Sequence, residues 1–285
     1  MPIYAPSLPP RPNLDHGQDP GLVLARFELK RLIRHKVGLF FIFGFGITLI
    51  VQVAMLYFRY LMNTNNTLRQ IKDVAQSLLA QGPEYQADHI HMVLLLFLWL
   101  FMAVVGGGII SRDTLYRTRP LIYAHPVNPA RYLAAKAGFI ATLALGILLP
   151  FILVPWILSL LIAGPQGPVW PSLPLRLVPA ALVIALLMSA VTVGTSAMAG
   201  TPRAGTAWIV GIYFGSSAVG SLMGGLLQWP EFLSLQALAS AWPQLFCGVP
   251  HPGLSWGWAG LGTLLHIGLW LSLAWTRTRP SEATL

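Results

Sequence analysis

Six stretches of this chain are too long and too apolar to fold as anything other than membrane-crossing helices. They cover residues 37–58, 91–110, 137–163, 175–199, 206–227 and 253–275, and the only Asp, Glu, Lys or Arg among them is Arg176, at the edge of the fourth. A helix rises about 1.5 Å per residue, so roughly 20 apolar residues cross the roughly 30 Å of hydrocarbon in a bilayer. With 55% of its 285 residues hydrophobic and 9% charged, the chain has too little polar surface to wrap a soluble globule. The expected fold is an all-α polytopic membrane protein with six transmembrane helices.

The segments around these spans set the orientation. Residues 1–20 are proline-rich and read as a flexible cytoplasmic tail. They lack the apolar core and cleavage site of a secretory signal, so they are expected to stay on the mature protein. Residues 21–36, GLVLARFELKRLIRHK, have a helical period: Leu22, Leu24, Phe27, Leu29, Leu32 and Ile33 share a broad face, with Arg26, Lys30, Arg31 and Arg34 largely outside it. That pattern predicts an amphipathic helix at the membrane surface with its basic side chains towards lipid phosphates. The formal charge of +9 therefore reads as a topology and headgroup signal, not as a nucleic-acid surface. Of 18 Lys and Arg, all but Arg59, Arg69, Lys72 and Arg176 fall on the side of the two termini, which places both ends, including a tail over 276–285, in the cytoplasm.

Within the 37–275 transmembrane domain, Pro150 and Pro155 interrupt the third span and predict a bend. Gly211, Gly215, Gly220 and Gly224 form two small-xxx-small pairs on the fifth, suited to close helix packing. Between the first two spans, residues 68–81 have the pattern of a short amphipathic helix. Residues 228–252 are apolar but broken by Pro230, Pro243 and Pro250, and predict short helices that dip into the leaflet or cap the bundle.

The sequence holds little chemistry of its own. None of its four lysines follows a glycine, so no GxxxxGK[ST] phosphate cradle exists, and no acid falls inside a predicted span to couple transport to an ion gradient. The single cysteine, Cys247, excludes an internal disulfide, and there is no zinc-ligand spacing. His89 and His91, two residues apart beside Met92, do not share a helical face, and His266 lies mid-span; all three read first as structural polar residues. No metal, resident cofactor or catalytic set is expected.

The longest basic interruption on the cytoplasmic side is SRDTLYRTRPLIYAHPVNPARYLAAK, residues 111–136, in which Asp113 stands against Arg112, Arg117, Arg119, Arg131 and Lys136. It reads as a contact surface. Asp113 and Thr114 are placed to cap a short helix over 115–123, and Asn128 followed by Pro129 starts the helix that leads into the third span. At Asp113, Thr114, Leu115, Leu121, Pro126, Tyr132, Leu133 and Lys136, and in the preceding LARFELKRLIRHK, the chain resembles the membrane subunits of type-2 ABC transporters. The resemblance covers about residues 21–275; Pro120 is an addition to the family pattern, and the usual glutamate of the loop is missing. It implies an exporter permease in a prokaryotic inner membrane. The loop would be a coupling helix, formed by Arg112, Asp113, Thr114, Leu115, Arg117, Arg119, Leu121 and Pro126 and seated on a separate P-loop ATPase that binds ATP and Mg. A second permease copy, alike or different, would complete the pore. The alternative is a membrane scaffold whose basic loop recruits a cytoplasmic partner without a transport cycle.

Overall fold

A computed structural model describes residues 20–34, 36–65, 82–118 and 128–278. Ten α-helices occupy them: α1 (Pro20–Arg34), α2 (Lys36–Thr64), α3 (Pro83–Ala87), α4 (Met92–Gly106), α5 (Ser111–Leu115), α6 (Pro129–Ala163), α7 (Leu173–Met198), α8 (Pro202–Gly225), α9 (Leu235–Cys247) and α10 (Trp256–Thr278). Six helical stretches are long and apolar enough to cross a membrane: Lys36–Met62, Pro83–Leu115, Pro129–Gln166, Leu173–Met198, Pro202–Gly225 and Trp256–Thr278. No strand occurs among the described residues. The protein is an all-α, multi-pass membrane protein. The amphipathic helix expected over 68–81 lies outside the described residues, as do 1–19 and 279–285 of the expected tails; Thr276, Arg277 and Thr278, expected in the C-terminal tail, are instead the end of α10.

The helices extend past the apolar runs. α2 continues to Thr64, which brings Arg59 and Tyr60 onto the helix, and α6 begins at Pro129. Asn128 caps α6 as its sequence predicts, its side-chain oxygen accepting from the Arg131 N–H at 2.7 Å. At 35 residues α6 measures about 52 Å at 1.5 Å per residue, so its first turns project beyond the hydrocarbon. Pro150 and Pro155 sit inside it without ending it. The Phe151 carbonyl, left without its usual donor by Pro155, receives a long contact of 3.5 Å from the Gln52 amide of α2.

One helix is the hub. α7 packs against α4, α6, α8, α9 and α10, and every residue from Leu187 to Ala197 is buried. α2 is its opposite: Phe40, Phe43, Ile47, Ile50 and Val51 face outwards, a surface that only lipid or another apolar chain suits. Its inner edge carries Phe41 and Phe45, each 5.7 Å from the ring of Phe101 on α4.

The four glycines of α8 divide. Gly220 lies against Ser234, and Gly224 against Glu231, so both seat the segment that leads into α9; Gly211 and Gly215 have nothing within 4 Å and face outwards. The interrupted stretch 228–252 contains one helix, α9, whose Ser234 cap accepts from the Ala237 N–H at 3.1 Å. α9 packs against α3, α4, α7, α8 and α10. Its last residue, Cys247, is buried, and burial pushes the thiol up to about 11 in spite of the nearby Arg176 guanidinium.

Two measurements check this packing. A methyl group at Gly205 would overlap the carbonyl oxygen of Gly107, so Gly205→Ala is expected to cost about 1–3 kcal/mol of stability, whereas Gly211→Ala leaves the monomer's unfolding midpoint in detergent unchanged. The Cys247 thiol stays protonated below a pH of about 11, so at pH 8 the folded protein resists maleimide labelling that goes to completion once it is denatured in SDS.

Candidate functional site

The site is built where the end of the second span breaks. α4 stops at Gly106, residues 107–110 form turns, and α5 starts again at Ser111. A break frees backbone groups that the apolar surroundings cannot satisfy. Ser196 of α7 takes up three of them: its Oγ accepts from the Ile110 N–H at 2.9 Å and the Ser111 N–H at 3.2 Å, and donates to the Gly107 carbonyl at 3.0 Å. Thr206 of α8 donates to the Ala103 carbonyl at 3.0 Å. Gly107 and Gly205 touch backbone to backbone, a crossing that a side chain at either position would prevent. The 201–206 turn, capped by Thr201, therefore wedges against the break.

From there α5 carries Asp113 to a buried ion cluster. Lys136, on the second turn of α6 and only 2% exposed, places Nζ 2.6 Å from Glu28 Oε1 of α1 and 3.1 Å from Asp113 Oδ2. The Tyr132 hydroxyl, one turn earlier on α6, donates to the same Asp113 oxygen at 2.6 Å. Arg31 Nη1 is 3.4 Å from the other oxygen of Glu28. Two carboxylates and two cations thus balance, with a phenol in support, and three elements distant in sequence are tied together. Lys136 and Glu28 are nearly enclosed while Arg31 keeps 32% of its side chain exposed, so it is the lysine that most needs its partners: losing both carboxylates would leave it unpaired in an apolar setting.

Beyond the cluster the chain turns out to solvent. α5 ends at Leu115; Tyr116 is 70% exposed, and Leu115 and Arg117 are exposed beside it. Arg117 has a φ of 52°, the left-handed region, so the backbone reverses sharply at this point. Thr118 folds back, its N–H and hydroxyl both donating to the Asp113 carbonyl at 3.0 and 3.3 Å. The result is a short aromatic and basic tip fixed at its base.

These positions revise the sequence expectation. Asp113 and Thr114 do not cap a helix over 115–123; they lie inside Ser111–Leu115, with Thr114 donating to the Ile110 carbonyl and Asp113 turned to Lys136. Arg112 is half-buried, with its guanidinium beside Gly108. Of the remaining contact residues, Leu115 and Arg117 are at the tip, and Arg119, Leu121 and Pro126 lie outside the described residues. On α1, Arg26 and Lys30 are exposed as expected; Arg31 instead pairs with Glu28, and the Arg34 side chain lies outside the described residues.

Glu28 is the residue that sequence reasoning passed over. Its signal was present: it is the one acid in a basic helix, and it stands three residues after Ala25 and four before Leu32, on the face that packs. His89, His91 and His266 each hold a backbone group through one ring nitrogen. His89 is buried with Nδ1 donating to the Tyr85 and Gln86 carbonyls, His91 Nδ1 accepts from the Leu94 N–H as an N-cap, and His266 Nε2 donates to the Leu233 carbonyl. Among the described residues no three metal-ligating side chains of the His, Cys, Asp or Glu type converge.

No protein-family model matches the chain, and no curated protein is significantly similar to it.

Removing the central cation tests the cluster. Lys136→Met is expected to cost about 3–5 kcal/mol, the loss typical when a buried pair is broken on one side. In the background of Glu28→Gln and Asp113→Asn the same change should cost far less; equal costs in both backgrounds, read from unfolding in detergent, would show that the three groups are not coupled.

Proposed function

We propose that the chain is the permease subunit of a type-2 ABC exporter, moving its substrate across a prokaryotic inner membrane with energy from a separate ATPase. The observation that carries this reading is the combination of an exposed tip, Leu115–Arg117, with a buried ionic anchor at its base. A loop that only fills space between two spans has no need of a buried lysine shared by three elements. A loop that is pushed does, because force applied at Tyr116 reaches α1 and α6 together through Asp113, Glu28 and Lys136 instead of being lost in local bending.

In this reading the side bearing the tip, α1 and both chain ends is cytoplasmic, in keeping with the bias of Lys and Arg to that side. The tip docks on the partner ATPase, which holds ATP and Mg, while this chain performs no covalent chemistry. The break at Gly107–Ile110 gives α5 a direction of its own, so that it can pivot with the cluster about the Ser196 bond at its first residue while α4 stays packed on α7 and α8. A second permease copy supplies the other wall of the path, and the outward-facing Gly211 and Gly215 of α8 are surfaces smooth enough to meet it.

Affinity purification of the tagged chain from mild detergent, followed by an ATPase assay on what co-purifies, tests the reading. A P-loop ATPase should be recovered with the wild type, and Arg117→Glu should lower its recovery about 10-fold or more, the equivalent of roughly 1.4 kcal/mol, at unchanged membrane content. Recovery of a cytoplasmic partner without nucleotide hydrolysis would support the scaffold alternative instead.

A further inference from the structure

At the end of the bundle opposite the tip, residues 248–255 connect α9 to α10. Gly248, in the left-handed region at a φ of 80°, ends α9, and the Val249 N–H returns to the Gln244 carbonyl at 2.8 Å. At the other end of the connection Leu254 is buried, 4% exposed. Between these two fixed points stand Pro250 and Pro252, which have no N–H to give to any partner. His251 lies between the prolines.

His251 ties the stretch down through both ring nitrogens. Nδ1 accepts from the Gly253 N–H at 3.2 Å, which puts the proton of the neutral ring on Nε2, and Nε2 donates to the Ser240 hydroxyl of α9 at 3.3 Å. Ser240 has a lone pair for it, since its own proton goes to the Ala237 carbonyl at 3.1 Å. The His251 carbonyl accepts from the Leu254 N–H at 3.4 Å, and the Gly253 carbonyl from the Glu231 N–H at 3.2 Å. Bonds of this length are weak, and two of these four run through the imidazole.

Only the neutral ring fits. A second proton must go to Nδ1, where it would face the Gly253 N–H, so that donor meets donor and the bond is lost. The ring is half-buried, and burial pushes its pKa below the ordinary value of 6.5. The ionisable groups around it belong to several elements. The Glu231 carboxylate, from the segment before α9, lies against Gly224 and Gly253, and the Cys247 thiol at the end of α9 keeps its proton up to about 11. Arg176 of α7 donates to the Cys247 carbonyl at 3.4 Å, and His266 of α10 to the Leu233 carbonyl at 3.2 Å. Tyr213 of α8, and Glu84, Tyr85, Asp88 and His89 on and after α3, complete the set on the elements packed against α9. A ring released into water regains its ordinary affinity for a proton. The closed connection is therefore favoured above pH 6.5 and loses that advantage as pH falls below it.

The same residues border a cavity of about 660 Å³, whose other walls include Leu245, Trp256 and Trp258. Trp256 meets the Phe246 ring edge-on at 5.0 Å and Trp258 stacks on Phe232 at 5.3 Å, so the aromatic walls are held by neighbours of their own. We propose that His251 is an acid-sensitive clasp: protonation of its ring releases residues 250–253 from α9 and reshapes the cavity they border. The acidity at this end of the bundle is thereby converted into a change of backbone, with the tryptophans as the fixed side. The clasp is separate from the ion cluster at the other end and does not rest on the transport reading.

Hydrogen exchange of the purified full-length chain in detergent tests the clasp, read by mass spectrometry on a peptide containing Gly253, with each rate divided by the chemical exchange rate at that pH. In the wild type, protection of this peptide should fall as pH is lowered from about 7.5 to about 4.5, by up to about 10-fold per pH unit, the limit for one proton. Peptides of α7 should keep theirs. His251→Asn, whose side-chain oxygen still accepts from the Gly253 N–H but takes up no proton, should hold its protection across the range, and Glu231→Gln should follow the wild type. A flat wild-type profile, an equal fall in α7, a slope that survives in His251→Asn or one that vanishes in Glu231→Gln would each overturn the proposal. The wild-type and Glu231→Gln profiles decide the matter if the His251 variant does not fold.

Discussion

The architecture depends on one hydroxyl group. In hydrocarbon a helix cannot be interrupted unless each freed N–H and C=O finds another partner, and at the end of the second span Ser196 supplies that partner for Gly107, Ile110 and Ser111 at once. Everything at the tip end follows from that permission to break. Because α4 stops at Gly106 and the chain resumes as α5, Asp113 points sideways to α6 instead of onwards along the axis of the span. Ser196 is available because α7 lies in the centre of the bundle, where its hydroxyls face protein on every side. Ser189 makes a similar bond to the Ala137 carbonyl at 2.6 Å, so the hub helix is polar glue as well as packing.

The ion cluster answers a different requirement. Hydrocarbon offers little drive to hold one helix against another, since lipid tails are as apolar as leucine. Lys136 adds to that drive between α1, the five-residue α5 and the projecting base of α6. A buried cation with two carboxylates and a phenol is costly to assemble and more costly to pull apart. Such an arrangement suits a junction that is to move as one piece. The exposed Leu115–Arg117 tip inherits its orientation from that junction, which the reversal at Arg117 completes.

How far the fold was legible in the sequence depends on the range of each interaction. Local chemistry was readable: the apolar runs, the Asn128 cap and Pro129 start of α6, and a surface helix rich in arginine all stand where their residues place them. Hydropathy could not tell α2, which faces outwards along much of its length, from α7, which is enclosed, because the same leucines and valines serve lipid and protein neighbours alike. The short helix at the tip fell four residues early because Asp113 was read as a cap, its commonest local use, when a lysine 23 positions later on α6 claims it. The glycines of α8 look equivalent in the sequence, and only the returning segment at Glu231 and Ser234 separates the pair that is covered from the pair that is open. The anchor itself joins residues 108 apart, and no pattern of spacing reports that.

That separation also sets an order of events. α1 is the first described helix to be synthesised, yet its acid has no lysine to meet until two spans and the loop after them have been made. Until then Glu28 has Arg31 of its own helix as partner, and of the neighbours α1 finally packs against only α2 has been made. Closure of α1 onto α6 is thus a late step that awaits the third span, and a chain halted before Lys136 leaves Glu28 with Arg31 of its own helix as its ion-pair partner. The first described helix to appear is among the last to lock.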